Sequence, residues 1–242
     1  MHIRIINPVI TRSWEQDTLQ TYSSVAGPGV NVSVVSLDWG TASIESYRDD
    51  ALATPDILNK VLLAEKEGVD AVIIDCMADP GLHAAREIAR IPIIGPAQAS
   101  MHLAAILGFR FSILSTSKRD IPWVSDQVTR YGLDKHLASV RAIDIPVLSL
   151  AENPEATFQA LMQAAELAVT VDGAHVLVPG CTGLAGLASH LRKGLLEKGL
   201  DVQVLDPPSV AMKLAESLVS LAYAHSKMTF PFPPNKEIRW PF

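Results

Sequence analysis

The chain contains two cysteines, and each follows an apolar segment of the kind that forms a buried strand. Cys76 comes directly after residues 71–75, and Cys181 comes shortly after residues 175–178. In open α/β sheets, ligands bind beyond the carboxyl ends of the strands, so both thiols are expected at a binding site. Each is followed by a helix start or a glycine-containing turn. We therefore expect backbone amides near each sulfur to favour the thiolate.

Two opposed thiols suit a reaction that inverts a carbon stereocentre. A thiolate removes a proton from one face of the carbon, and a thiol returns a proton to the other face. The unperturbed thiol pKa is about 8.5, so either form is accessible after a modest shift. No cofactor is required where an adjacent carbonyl and hydrogen-bond donors stabilise the carbanion. A metal site is not expected, because two thiols need further ligands and no His/Cys cluster lies beside either one.

A free cysteine is commonly a small buried hydrophobic residue, but the two here occupy matching positions of an internal repeat. Residues 68–76 (GVDAVIIDC) resemble residues 173–181 (GAHVLVPGC), 105 positions further on. Residues 5–7 resemble 113–115, and residues 93–96 resemble 204–207, at offsets of 108 and 111. Three matches in the same order indicate a duplication. We therefore predict two similar lobes with a cleft between them, in which the two sulfurs face each other.

Apolar, β-branched segments alternate with helical patterns along the chain. This alternation predicts an α/β protein with parallel sheets covered by helices. Helix starts are predicted where a polar cap precedes proline, at Thr54-Pro55, Asp79-Pro80, Asn153-Pro154 and Asp206-Pro207. The predicted strands are 3–7, 30–37, 71–75, 93–95, 110–115, 139–143, 175–178 and 202–205.

The repeat divides the chain into an N-terminal lobe, residues 1–108, and a C-terminal lobe, residues 109–226. The first carries Cys76 and the second carries Cys181, and the C-terminal helix or tail is allowed to cross over to the first lobe. A proline- and aromatic-rich tail, residues 227–242, cannot be helical where it reads FPFPP and WPF. We expect it to pack on its own lobe or on a neighbouring subunit.

Composition limits the classes of partner. The net charge is −6 and 48% of the residues are hydrophobic, which favours a large core and argues against a nucleic-acid or anionic-membrane partner. No apolar segment approaches the roughly 18 residues of a spanning helix, and the first residues read as a strand rather than a signal peptide. We expect a cytoplasmic homo-oligomer with reduced thiols that acts on a small molecule.

Several motifs together resemble one known family. They are Asn7-Pro8, Ser43-Ile44-Glu45-Ser46, Cys76 with Asp79-Pro80-Gly81-Leu82, Gly95-Pro96, and Gly180-Cys181-Thr182-Gly183. Across essentially the whole chain these resemble the Asp/Glu/hydantoin racemase superfamily, and most closely its hydantoin branch. The resemblance implies two pseudo-symmetric flavodoxin-like lobes, each with a four-stranded parallel sheet flanked by helices. It also implies an active site in the cleft, and cofactor-independent proton exchange between Cys76 and Cys181.

By position, the resemblance implies that Asn7, Ser115, Thr116, Thr182 and Gly183 line the pocket through side chains or backbone amides. The implied substrate is a 5-substituted hydantoin or allantoin. The chain differs from the family pattern at three places near the expected pocket: Val9-Ile10-Thr11, Met77-Ala78 and Thr41. These differences affect which substrate is expected more than which chemistry.

Other functions remain open at this point. The resemblance implies that the amino-acid racemases of the superfamily have Asp-Ser at the end of the first strand and a histidine after the second cysteine. This chain has Asn7-Pro8 and Thr182-Gly183 at those positions. A related cis–trans isomerase also has both cysteines, whereas a related decarboxylase keeps one. The non-enzyme alternative is a two-lobed small-molecule binding protein, which would need an export signal and no particular thiols.

Five further residues are interpreted as mainly structural. Asp75 neighbours Cys76 on a strand, so its side chain is expected to point to the opposite face and make a fold or subunit contact. Asp79 is interpreted as a helix cap and His175 as a core histidine. Trp39 and Trp123 are expected either at the border of the cleft or in packing.

Overall fold

The computed structural model describes residues 1–237, and each of the eight predicted strands is present. The strands are β1 (His2–Asn7), β2 (Asn31–Ser36), β3 (Ala71–Ile74), β4 (Ile93–Ile94), β5 (Phe111–Ser115), β6 (Leu137–Ala142), β7 (Val176–Pro179) and β8 (Gln203–Val204). The helices are α1 (Glu15–Val25), α2 (Tyr47–Lys66), α3 (Leu82–Ile88), α4 (Pro96–Leu107), α5 (Ile121–Arg130), α6 (Pro154–Thr170), α7 (Ala188–Glu197) and α8 (Pro207–Ser220).

The strands form two parallel four-stranded sheets with the same connectivity. Their orders are β2-β1-β3-β4 and β6-β5-β7-β8. The strands β3 and β7 are buried on both faces, which is why they read as continuous apolar segments instead of alternating ones. The matching orders confirm the α/β fold with two similar lobes.

Two helices are exchanged between the lobes. From the first half of the sequence, α4 buries Ala97, Met101 and Ala104 with β5 and β7 of the second sheet. From the second half, α8 buries Ala211, Met212 and Ala215 with β1 and β3 of the first sheet. The two helices also pack on each other. A division at residue 108 therefore separates α4 from the sheet that it covers.

Two of the four predicted helix starts are confirmed. Asn153 accepts a hydrogen bond from Ala156 N at 3.1 Å, and Asp206 accepts one from Ser209 N at 3.3 Å. The start at Thr54-Pro55 is wrong, because α2 begins at Tyr47 and Pro55 lies inside it. The cap of this helix is Ser46, whose hydroxyl accepts from Asp49 N at 3.2 Å.

The start at Asp79-Pro80 is also wrong, although Asp79 is a helix cap as interpreted. α3 begins later, at Leu82. The Asp79 carboxylate instead accepts from Ala97 N at 3.1 Å and Gln98 N at 2.8 Å, so it caps α4. A Cβ on Gly95 would lie 2.4 Å from Asp79 Oδ1, so only glycine fits beside this cap.

The described part of the tail packs on the N-terminal lobe. Two residues before the tail, His225 Nε2 accepts from Ile93 N at 2.9 Å. Lys227 Nζ donates to three carbonyl oxygens at the end of α3, those of Arg86, Glu87 and Ala89, at 2.7, 3.2 and 2.6 Å. The predicted final aromatic segment, Trp240-Pro241-Phe242, lies outside the described residues. No helix within residues 1–237 is long and apolar enough to cross a membrane.

Candidate active site

A cavity of about 340 Å³ lies between the lobes, at the carboxyl ends of the four central strands. Its walls include residues that end or follow β1, β3, β5 and β7, together with side chains of α1 and the segment 147–151. These strand ends carry the repeated motifs, so the duplication places equivalent loops of both lobes around one space.

Cys76 and Cys181 both line this cavity. Each sulfur accepts a hydrogen bond from the backbone amide two residues later. Ala78 N lies 3.4 Å from Cys76 Sγ, and Gly183 N lies 3.3 Å from Cys181 Sγ. The same local turn therefore presents both thiols, as expected from their matching positions in the repeat.

Each of these amides lowers the pKa of its thiol, as expected, but burial outweighs this effect and the pKa of each thiol is raised. Burial raises the pKa of Cys181 to about 12, and it raises the pKa of Cys76 well above its ordinary value. The single amide hydrogen bond to each sulfur lowers the pKa by less than burial raises it. A thiol of this kind ionises rarely, but its thiolate is a stronger base than an ordinary one.

Asp75 contributes to the raised thiol pKa values. Its negative charge acts on Cys76 and on Cys181. Its carboxylate accepts from the fully buried Tyr22 hydroxyl at 2.7 Å, which is a contact within the fold as interpreted. Burial raises the pKa of Asp75 itself to about 6, while hydrogen bonds from Tyr22 and Thr182 oppose that rise. The side chain also lines the cavity, which the alternation of a strand did not lead us to expect.

Four of the five predicted pocket residues line the cavity: Asn7, Thr116, Thr182 and Gly183. Ser115 is not among the lining residues. Its hydroxyl is buried and donates to Asp120 Oδ2 at 2.9 Å, so Ser115 holds the side chain of Asp120, which does line the cavity. Asn7 is 3% exposed, and neither atom of its side-chain amide has a hydrogen-bond partner within the described structure.

The sequence interpretation missed Asp120, Trp14 and Tyr22, which also line the cavity. Trp123 lies in the wall, whereas Trp39 does not and is 65% exposed. His175 is exposed, so the interpretation as a core histidine is wrong. The Ser-Thr-Ser-Lys-Arg-Asp motif after β5 could have indicated Asp120, because a carboxylate three residues after a serine cap is a known capping pattern.

The ionisable carboxyl groups in the wall of the cavity are not balanced by basic side chains. Asp17, Asp75 and Asp120 line the cavity, and no Lys, Arg or His is present among its described lining residues. Such a wall favours a neutral ligand that offers N–H donors over one that carries a carboxylate. Across residues 1–237, no group of three His, Cys, Asp or Glu side chains is arranged to hold a metal ion.

Comparison with known proteins gives a consistent result. The family model described as Asp/Glu/hydantoin racemase matches residues 3–215. A hydantoin racemase of Rhizobium meliloti is 39% identical over 96% of this chain and 95% of its own length. A hydantoin racemase of Pseudomonas sp. (strain NS671) is 37% identical over 98% of this chain and 94% of its own length.

Solved structures share the fold. An allantoin racemase from Klebsiella pneumoniae is 35% identical, with a TM-score of 0.93 over 100% of this chain and 97% of that chain. A glutamate racemase from Francisella tularensis is similar in fold alone, at 18% identity and a TM-score of 0.64, covering 91% of this chain and 81% of that one.

Proposed function

Because the chain belongs to the Asp/Glu/hydantoin racemase family and is an isomerase of the racemase type, we propose that it inverts the stereocentre of a 5-substituted hydantoin or of allantoin. The observation that carries the proposal is the lining of one cavity by both cysteines, each held by the same amide contact. The relatives named for hydantoin and allantoin support a cyclic substrate.

The wall of the cavity supports a neutral ring over an amino acid. A glutamate or aspartate substrate would bring carboxylates next to Asp17, Asp75 and Asp120 without a cation in the described wall to compensate them. A hydantoin carries adjacent N–H and C=O groups instead. The side-chain amide of Asn7 has an NH2 group that can donate and an oxygen that can accept, which suits such an edge.

The proposed reaction needs only proton transfers. One thiolate takes the proton from C5 of the ring, so the C–H bond breaks, an S–H bond forms and the electron pair moves into the adjacent carbonyl as an enolate. Asn7 Nδ2 is the proposed donor to that developing oxyanion. The other thiol then gives its proton to the opposite face, and its S–H electron pair stays on sulfur. The two cysteines end the turnover with exchanged roles.

The decisive experiment follows loss of optical rotation from L- and D-5-substituted hydantoins, allantoin and glutamate in parallel. A hydantoin or allantoin should be racemised with a much higher kcat/KM than glutamate. A higher kcat/KM for glutamate would contradict the proposal. Activity should survive exhaustive chelation, because no step uses a metal.

The roles of the thiols are tested with Cys76→Ser and Cys181→Ser. Each should nearly abolish racemisation, since a serine hydroxyl is far less acidic than a thiol. Each variant should still exchange the α-proton of one enantiomer with D₂O, and the two variants should act on different enantiomers. Exchange of the same enantiomer by both variants, followed by NMR, would exclude bases on opposite faces.

A further inference from the structure

The backbone on both sides of Cys76 is held by the other half of the chain. The carbonyl oxygen of Asp75 accepts from Thr182 Oγ1 at 3.3 Å. The carbonyl oxygen of Met77 accepts from Gln127 Nε2 at 3.1 Å. Thr182 directly follows Cys181, and Gln127 lies in α5 of the C-terminal lobe. These two bonds therefore fix the backbone of one thiol relative to the lobe that carries the other.

The end of α5 makes a second contact with the same loop. The hydroxyl of Tyr131, the residue that follows this helix, donates to Asp79 Oδ2 at 2.6 Å. The Gln127 side chain also interacts with the Tyr131 hydroxyl. Gln127 is therefore part of a network that spans the loop from Met77 to Asp79, immediately after Cys76.

Stability alone does not account for a glutamine at position 127. The residue is 2% exposed, and its Oε1 is buried with no partner in the described structure. Leaving this acceptor unsatisfied offsets the modest gain from the contacts of Gln127 with Met77 and Tyr131. An apolar side chain of similar length would fill the space and exchange one unsatisfied acceptor, Gln127 Oε1, for another, the Met77 carbonyl oxygen, so it would cost little. What glutamine adds is a donor aimed at the backbone next to the thiol.

We propose that Gln127 is a positioning residue that holds Cys76 at reacting distance from the substrate carbon. The inference rests on the proposed two-thiol reaction. Proton transfer requires the sulfur within hydrogen-bond reach of the C–H group, so a small displacement of the loop slows chemistry much more than binding. Gln127 reaches the Cys76 side of the cavity only, so its effect falls on one face of the substrate.

The test compares Gln127→Met with the wild type. Methionine removes the unsatisfied Oε1 but leaves the Met77 carbonyl oxygen without its donor, so the two effects oppose each other and the melting temperature should change by no more than about 3 °C. We expect kcat for a hydantoin to fall roughly 10- to 100-fold while KM changes less than roughly threefold. Gln159→Met is the matched control, because Gln159 is an exposed helical glutamine on α6 that bonds only to Glu155 among the described contacts. This control should retain wild-type kinetics.

The ratio of α-proton exchange to inversion in D₂O separates positioning from a general structural role. When Cys76 is misplaced, the enantiomer deprotonated by Cys181 returns more often without inversion. In Gln127→Met the ratio should therefore rise for one enantiomer only, and that enantiomer should be the one that Cys76→Ser still exchanges. A rise for both enantiomers, or no rise, would overturn the assignment.

Two further measurements keep the outcome interpretable. If Gln127→Met does not fold, Gln127→Glu at neutral pH keeps the shape and lacks the amide donor, and it should give the same one-sided ratio. If the wild type racemises no hydantoin, or Cys76→Ser retains full activity, the proposed function fails. If the wild type racemises a hydantoin and Cys76→Ser loses activity, but the Gln127 variants keep the wild-type ratio, only the positioning role is refuted.

Discussion

Asp75→Asn tests how the buried carboxyl beside Cys76 couples stability to pH. Burial raises the pKa of Asp75 from 3.8 to about 6 in the folded protein. The folded state therefore binds a proton more tightly than the unfolded state, and stability falls as the pH rises between those two values. At about 1.4 kcal/mol per pH unit, the ionised carboxylate costs up to about 3 kcal/mol above pH 6.

Asparagine keeps an oxygen for the Tyr22 hydroxyl, which bonds to Asp75 at 2.7 Å, and it cannot ionise. We expect Asp75→Asn to raise the free energy of unfolding by up to about 3 kcal/mol at about pH 8 and by little at about pH 4. Urea unfolding of both proteins across this range measures the difference. Asp126→Asn, at an exposed carboxylate paired with Arg130 on α5, should show no gain that grows with pH.

The same variant should change the catalytic pH profile. Removing the Asp75 charge lowers the pKa of Cys76 and of Cys181, because that charge raises both. The rise of kcat/KM with pH should therefore level off at a lower pH in Asp75→Asn than in the wild type. A stability difference that is constant from pH 4 to pH 8, or a variant less stable than wild type at pH 8, would refute the reasoning.

Three further outcomes follow from the structure. In the wild type, kcat/KM for a hydantoin should rise nearly tenfold per pH unit from about pH 6 to about pH 8, since burial raises the pKa of both thiols; a flat profile would contradict this. Asn7→Leu should raise the melting temperature by removing two unsatisfied buried atoms, yet lower kcat/KM roughly 10- to 100-fold in steady-state assays. Lys227→Met should cost about 1–2 kcal/mol in urea unfolding without changing kcat, because it frees three carbonyls at the end of α3.

The fold was largely predictable because its signals are local or periodic. Continuous apolar segments gave the strands, and the offset of 105 between Cys76 and Cys181 gave the duplication. The caps Asn153 and Asp206 act within their own helices, so a short motif contains the whole interaction. The cavity that both cysteines line follows from the same pattern, since equivalent strand ends carry them.

What was missed depends on long-range packing. Asp79 caps a helix that begins 17 residues later, and no local motif distinguishes this from a cap on the next helix. The apolar sequence of α4 indicates that the helix is buried but not which sheet it covers. The sign of the thiol pKa shift required the balance between burial and one amide bond at each sulfur, which only the folded environment determines.

The two halves of the site are equivalent in backbone but not in the residues beside the thiols. Asp75 precedes Cys76, whereas Gly180 precedes Cys181, and a Cβ on Gly180 would lie 2.9 Å from the Leu114 carbonyl oxygen. A carboxylate therefore has space on one side only. Enantiomers have equal free energies, so kcat/KM must be the same in both directions of a racemisation. Between the two enantiomers, the asymmetric walls can therefore change kcat and KM only by the same factor. They can also make the exchange reactions of the two single-cysteine variants differ. An enzyme built from a duplicated lobe can in this way treat its two substrates differently without favouring either at equilibrium.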